Sequence, residues 1–200
     1  GLAVFFLARI LGALYFINNI DDKDLVARSR RSLIGNSVLF LVFFLSFVIR
    51  TLLADGYAVN PETGEVFMEP YKYLTNFIEM PLVLVLFLIG VVLVLFGIGK
   101  SLLKTKFDKG IWFTGIGTVL AVLALLLVAG YNNTAYYPST NDLQSSLTLA
   151  NSCSSQFTLR VMFYVSFLVP FVLAYIFYAW RSIDIHKIDE KEMKDGGHSY

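Results

Sequence analysis

Histidine is scarce in this chain: among 200 residues only His186 and His198 occur, both beyond the last apolar stretch. A haem held inside a helix bundle takes its axial ligands from inward-facing His, Met, Cys or Tyr. With no histidine in any apolar run, haem ligation by this chain is not expected. Met80 and Met162 remain as formal candidates, and ordinary packing is the simpler role for both. Cysteine is reduced to Cys153, which excludes an intrachain disulfide. No metal-ligand spacing, Gly-rich phosphate loop or nucleophile arrangement appears, so no catalytic, metal-binding or cofactor-binding residue is expected. Charge is thin as well. Asp, Glu, Lys and Arg make up 16% of the chain, against about a quarter in a soluble domain. The formal net charge of +1 implies no nucleic-acid partner.

What the chain has in abundance is apolar sequence: 56% hydrophobic residues, with 18 Phe and 11 Tyr. The apolar runs are Gly1 to Ile17, Leu33 to Ala54, Phe77 to Leu103, Ile111 to Tyr131 and Leu159 to Trp180. Four of them reach the ~20 residues that cross a ~30 Å hydrocarbon core. The first is shorter. Gly1 already lies inside it with no charged segment before it, so it does not read as a signal peptide. The expectation is a chain truncated at its N-terminus. The fold class predicted is all-α: a polytopic membrane bundle of about five helices over residues 1–181, then a charged, flexible tail over 182–200.

Charge alternates between the connections. The first holds Lys23, Arg28, Arg30 and Arg31, the third Lys100, Lys104, Lys106 and Lys109, and the tail Arg181, Lys187, Lys191 and Lys194. The second carries Asp55, Glu62, Glu65 and Glu69 against the single Lys72, and 132–158 has no Lys or Arg. Basic loops stay cytoplasmic, so loops one and three and the C-terminus are expected inside. Residues 58–66 read as a small outer hairpin around Pro61 and Gly64. Spans three and four, joined by a short Lys-rich link, should be antiparallel neighbours. Ser155 or Thr158 can cap the last helix. Tyr131, Tyr136 and Tyr137 at one boundary, with Tyr175, Tyr178 and Trp180 at the other, fit interfacial aromatic belts.

Charges at membrane depth are costly and are functional candidates by default. Arg9 lies about two turns from the inner end of span one and is expected to snorkel to the cytoplasmic face. Arg50, Glu79 and Arg160 lie toward the outer ends of their spans. Their common depth permits an Arg50–Glu79 or Arg160–Glu79 ion pair, structural in the first instance, with a part in proton or substrate movement as the sharper alternative. Gly90, Gly97, Gly115 and Gly117 mark close helix contacts. Asn132-Asn133-Thr134 matches a glycosylation sequon, a pattern too short to carry weight.

Several segments together resemble one family. Tyr137-Pro138-Ser139, Ser146-Leu147-Thr148-Leu149-Ala150-Asn151 and Ser154-Ser155-Gln156-Phe157-Thr158-Leu159-Arg160-Val161-Met162 look like the last outer loop of cytochrome bd ubiquinol oxidase subunit II. The resemblance continues through Val169-Pro170 to His198-Ser199-Tyr200. Earlier it includes Gly12-Ala13-Leu14-Tyr15-Phe16, Asp55-Gly56-Tyr57 and Asn76-Phe77 with Pro81. It implies a multi-pass subunit of a bacterial inner-membrane respiratory complex that oxidises quinol and reduces oxygen to water. By the same resemblance, haems b and d belong to the partner, subunit I, and this subunit is haem-free and inactive alone. Some members hold a structural quinone, whose contacts here stay unassigned. Family subunits have eight spans in two four-helix bundles, so this chain would hold the end of span four and spans five to eight. The family's proton-path acids would lie largely in the absent half. The alternatives are a fragment of a secondary transporter, whose broken helices carry charge near the bilayer midplane, and a scaffold protein without turnover.

Overall fold

The computed structural model describes residues 1–104 and 107–183. Lys106, the two histidines and the charged tail from 184 onward lie outside the described residues. The chain forms α1 (Leu2–Asn19), α2 (Lys23–Leu53), β1 (Gly56–Val59), β2 (Val66–Glu69), α3 (Lys72–Glu79), α4 (Pro81–Leu103), α5 (Gly110–Gly130), a 3-10 turn (Leu143–Ser145), α6 (Gln156–Ser166) and α7 (Val169–Ile183). It is a helical, multi-pass membrane protein. α1, α2, α4, α5 and the α6–α7 unit are each long and apolar enough to cross a bilayer.

Three boundaries differ from the sequence expectation, each for a local reason. The second helix begins at Lys23 rather than Leu33. Asp22 caps it, its carboxylate accepting from Leu25 N at 2.7 Å, and that cap licenses a polar first turn. Arg28, Arg30 and Arg31 therefore stand on helix, not in a loop. The third span divides at Met80, held at φ −113° and ψ 71°, because Pro81 disfavours helical backbone in the residue before it. Pro81 itself opens α4, where a missing N–H costs nothing. The last span begins at Gln156, with Ser155 Oγ accepting from Thr158 N at 3.3 Å. It breaks at Phe167–Leu168, since Pro170 supplies no N–H to the carbonyl of Ser166.

α1 with α2, and α4 with α5, form two antiparallel hairpins, as expected for the second pair. Small residues seven apart bring α4 and α5 together. A Cβ on Gly90 would lie 2.6 Å from Ala121 N, and one on Gly117 would lie 2.6 Å from Gly90 O. Thr114 Oγ1 fills the place of a side chain at Gly97, and Ser101 Oγ does the same at Gly110. Both hydroxyls are fully buried and rest over glycine Cα–H groups, a weak but recurrent contact between close helices. Gly115 belongs to a different face: a side chain there would meet nothing within 4 Å, so it marks no contact, contrary to expectation.

The core runs the length of the bundle. Near the basic connections it comprises Ile10, Ala13, Leu14, Ile17, Leu33, Phe40, Val94 and Ile98. At the hairpin end it comprises Phe77, Phe87, Ala121, Ala124 and Val128. A ladder of rings joins the two: Phe40–Phe44, Phe44–Phe87 and Phe87–Phe77, with centroids 5.3, 6.4 and 5.3 Å apart. The last span takes no part, and its residues from Gln156 to Ser182 are exposed apart from half-buried Ala179.

Candidate functional site

Polar side chains gather at the two ends of the bundle. At the hairpin end the connections fold together as a cap. β1 and β2 pair antiparallel, Gly56 opposite Glu69 and Val59 opposite Val66, around a turn in which Gly64 takes φ +74°. The hairpin was legible from its Pro/Gly turn. The segment after α5 then lies along β1: Val59 N donates to Asn133 O at 2.8 Å, and Ala135 N to Tyr57 O at 2.9 Å. Asn132 and Asn133 adopt positive φ, 56° and 53°, a conformation asparagine tolerates better than most residues. On the other edge, Gln144 accepts from Val66 N at 3.0 Å and donates to Val66 O at 2.9 Å. Its amide thereby satisfies both backbone groups of one edge residue.

Asn76, completely buried, is the centre of this cap. Its Nδ2 donates to Val128 O at 2.9 Å and to Thr134 Oγ1 at 2.8 Å. Its Oδ1 accepts from Asn132 Nδ2 at 3.0 Å. One side chain thus caps a late carbonyl of α5 and ties α3 to the following loop. Asn132 Nδ2 also donates to Glu79 Oε2. Nearby, buried Lys72 pairs with Glu69 at 3.2 Å, its stem packed against Gly56. Burial, and secondarily Tyr57, raises the Tyr73 hydroxyl above its ordinary pKa of about 10.

Glu79 is exposed at the end of α3, with Asn132 as its partner. Arg50 in the last turn of α2 and Arg160 on α6 are both exposed. The structure brings neither of them to Glu79 among the described residues. Sequence reasoning placed the three at one end of the bundle but missed Asn76 and Asn132 as the organising pair. The signal was present as Asn76 and Asn132 flanking the ends of apolar runs, and the second was read only as part of a sequon.

At the basic end, the Arg30 guanidinium donates to the carbonyls of Ser101, Lys104 (3.3 Å) and Phe107 (3.4 Å). It thereby caps the C-terminus of α4, where a cation suits both the orphan carbonyls and the helix dipole. Lys100 sits over the rings of Phe96 and Phe107, 4.9 and 4.6 Å from their centroids. Arg9 departs from expectation. Its guanidinium lies over Phe5, 5.8 Å from the ring centroid, leaning away from the basic end.

Chemically, the described residues offer hydrogen-bonding groups, scattered carboxylates of which Glu79 joins the cap, and no cluster suited to a metal ion. Met80 is half-buried at the α3–α4 break and Met162 is exposed on α6, so the two do not converge. An apolar cavity of about 600 Å³ opens between α1, α2, α4 and α5, lined by residues such as Leu7, Phe40, Phe44, Val94 and Leu125, with Thr118 its one polar side chain.

The sequence profile of the family described as cytochrome bd terminal oxidase subunit II matches residues 1–183. Cytochrome bd-I ubiquinol oxidase subunit 2 of Escherichia coli (strain K12) is 30% identical over 156 residues, which are 76% of this chain and 39% of that protein. The proteins of the same name from Escherichia coli O6:H1 and O157:H7 match to the same extent. The chain spans about two-fifths of the length of these curated relatives.

Proposed function

The chain belongs to the cytochrome bd terminal oxidase subunit II family, and from that premise we propose that it serves as a haem-free membrane subunit of a bd-type quinol oxidase. The complex would oxidise quinol and reduce oxygen to water in the aerobic respiratory chain, with haems b and d held by the partner, subunit I. The observation that carries this reading is the family match across every described helix. The placement of both histidines beyond the spans supports a role without haem ligation. The chain's own contribution is then structural, presenting helix faces to the haem-bearing subunit and closing one end of the bundle with the Asn76-centred cap.

The basic end, carrying Arg28, Arg30, Arg31, Lys100 and Lys104, is the cytoplasmic one in this reading. The C-terminus follows it, because the last span starts at the hairpin end. The apolar cavity has room for part of an isoprenoid chain, which supports a structural quinone held by its tail, with Thr118 the one polar side chain to meet it.

A reduced-minus-oxidised visible spectrum of the complex captured through the full-length protein tests the proposal. Haem bands including a d-type signal are expected. Absence of haem together with absence of a large partner subunit would overturn it and direct attention to substrate uptake by a transporter.

A further inference from the structure

In the cap around Asn76 each hydrogen bond has a fixed direction, and the series of donors ends on a charge. Val128 O can only accept, so the Asn76 amide turns its Nδ2 toward it and toward Thr134 Oγ1. That leaves Asn76 Oδ1 facing Asn132, which therefore donates. The Thr134 hydroxyl, having accepted from Asn76, donates to Asn132 O at 3.2 Å. The second hydrogen of Asn132 Nδ2 goes to Glu79 Oε2. A carboxylate only accepts, and a hydrogen bond to a charged acceptor is about twice as strong as a neutral one. Asn76 and Thr134 are buried, whereas Glu79 is exposed. The charged end of the network is the one that protons from water reach.

The same contact holds strained backbone. Asn132 and Asn133 both take positive φ, a conformation that residues other than glycine keep only where the surroundings impose it. Directly beyond, Asn133 O accepts from Val59 N and Ala135 N donates to Tyr57 O, which lays this segment along β1. On the other side, Glu79 is the last residue of α3, next to the break at Met80. Glu79 thus joins the end of α3 to the turn after α5. The ionisable groups on the neighbouring elements are Arg50 and Asp55 at the exit of α2, Tyr57, Glu69 and Lys72 around the hairpin, Tyr73 on α3 and Tyr131 after α5. Glu69 and Lys72 pair with each other, and among the described residues none of these groups bonds to the Glu79 carboxylate.

We propose that Glu79 is a proton-sensitive latch. As a carboxylate it holds the Asn132–Asn133 turn left-handed and keeps residues 133–135 on β1. On taking up a proton from water it becomes a weaker acceptor, and the segment lifts from the hairpin while α4 and α5 stay packed. The latch is closed at neutral pH and opens as pH falls. This inference goes beyond the oxidase reading and does not depend on it.

Hydrogen–deuterium exchange of the full-length protein, kept with the subunits that co-purify, tests it. Exchange is read by mass spectrometry over residues 131–137 and corrected for the intrinsic rate at each pH. Acidification from about pH 7 to about pH 4 spans the ordinary glutamate range. It should raise exchange in this peptide about fivefold relative to peptides of α4 and α5. Glu79→Gln keeps the shape and removes the charge, so it should show the faster exchange at neutral pH and little further change in acid. Glu62→Gln, at an exposed carboxyl in the hairpin turn, should keep the unsubstituted profile. Exchange of the unsubstituted protein that does not respond to pH would overturn the proposal, whether or not the variants fold. So would a Glu79→Gln profile that still steepens in acid, which would assign the response to another carboxyl.

Discussion

α4 and the α6–α7 span are both long, apolar helical stretches that hydropathy alone would treat alike. Their surroundings differ completely. α4 lies against α5 so closely that glycine backbone meets backbone at Gly90 and Gly117. The last span leaves Phe163, Phe171, Leu173 and Ile176 uncovered. Burying an apolar side chain gains little when the alternative is lipid, so association in a membrane depends on how near two backbones can come. α4 and α5 carry glycine, serine, threonine and alanine at heptad-like spacing on the contact face. The region from Gln156 to Ile183 contains no glycine. Apolarity therefore explains why both stretches are helices that enter a bilayer, and small residues explain why only one is locked to a neighbour.

The sharpest way to break that contrast is at Gly117. Gly117→Val places a branched side chain against Gly90 O and Leu93 and should cost about 3 kcal/mol or more, the scale of core overpacking. Gly115→Val, two residues away on the open face, should stay within about 0.5 kcal/mol. Thermal unfolding of both variants in detergent decides the matter. Equal losses would mean that close approach is not what holds α4 to α5.

A smaller effect is expected from the polar anchor that α5 has and the last span lacks. Asn76→Leu removes the donor to Val128 O and Thr134 and the acceptor for Asn132. Leaving buried polar groups unsatisfied costs about 1–3 kcal/mol. Limited proteolysis should find the loop after α5 cut faster in this variant, with α6–α7 cleavage unchanged. Equal acceleration in both regions would show that the cap steadies the last span as well.

The smallest effect concerns pH. The Tyr73 pKa is raised in the folded state, so the folded protein holds that proton more tightly than the unfolded chain does. The resulting stability is fully present below pH ~10 and is lost as pH rises through the folded value. Tyr73→Phe should flatten the alkaline fall in Tm. An unchanged slope would assign that fall to other groups.

The Arg30 clamp and the Asn76 cap illustrate how much could be read beforehand. The basic cluster at 28–31 was visible in the sequence and correctly implied one end of the bundle. That one of its guanidinium groups caps the last carbonyls of α4 depends on two segments about 70 residues apart being brought together, which no local pattern encodes. Glu79 was legible as an anomaly, a carboxylate at the edge of an apolar run. Its partner was not, because Asn132 reaches it only once the chain after α5 turns back through two left-handed residues. Arg9 was flagged as a deep charge, and its lean over Phe5, away from the basic end, runs against the snorkelling expected from the sequence.

Composition and spacing alone determined the helical membrane class, the five apolar runs, the hairpin at Pro61–Gly64 and the alternation of basic and acidic connections. These are near-neighbour effects: side-chain transfer into hydrocarbon, fixed proline geometry and turn chemistry act within a few residues. The tertiary structure decided which glycines are contacts and which stand on an open face, which asparagine is buried, and which cation caps the last carbonyls of α4. In a chain apolar on every helical face, the sequence pattern does not distinguish one face from another. Only the approach of a second backbone does.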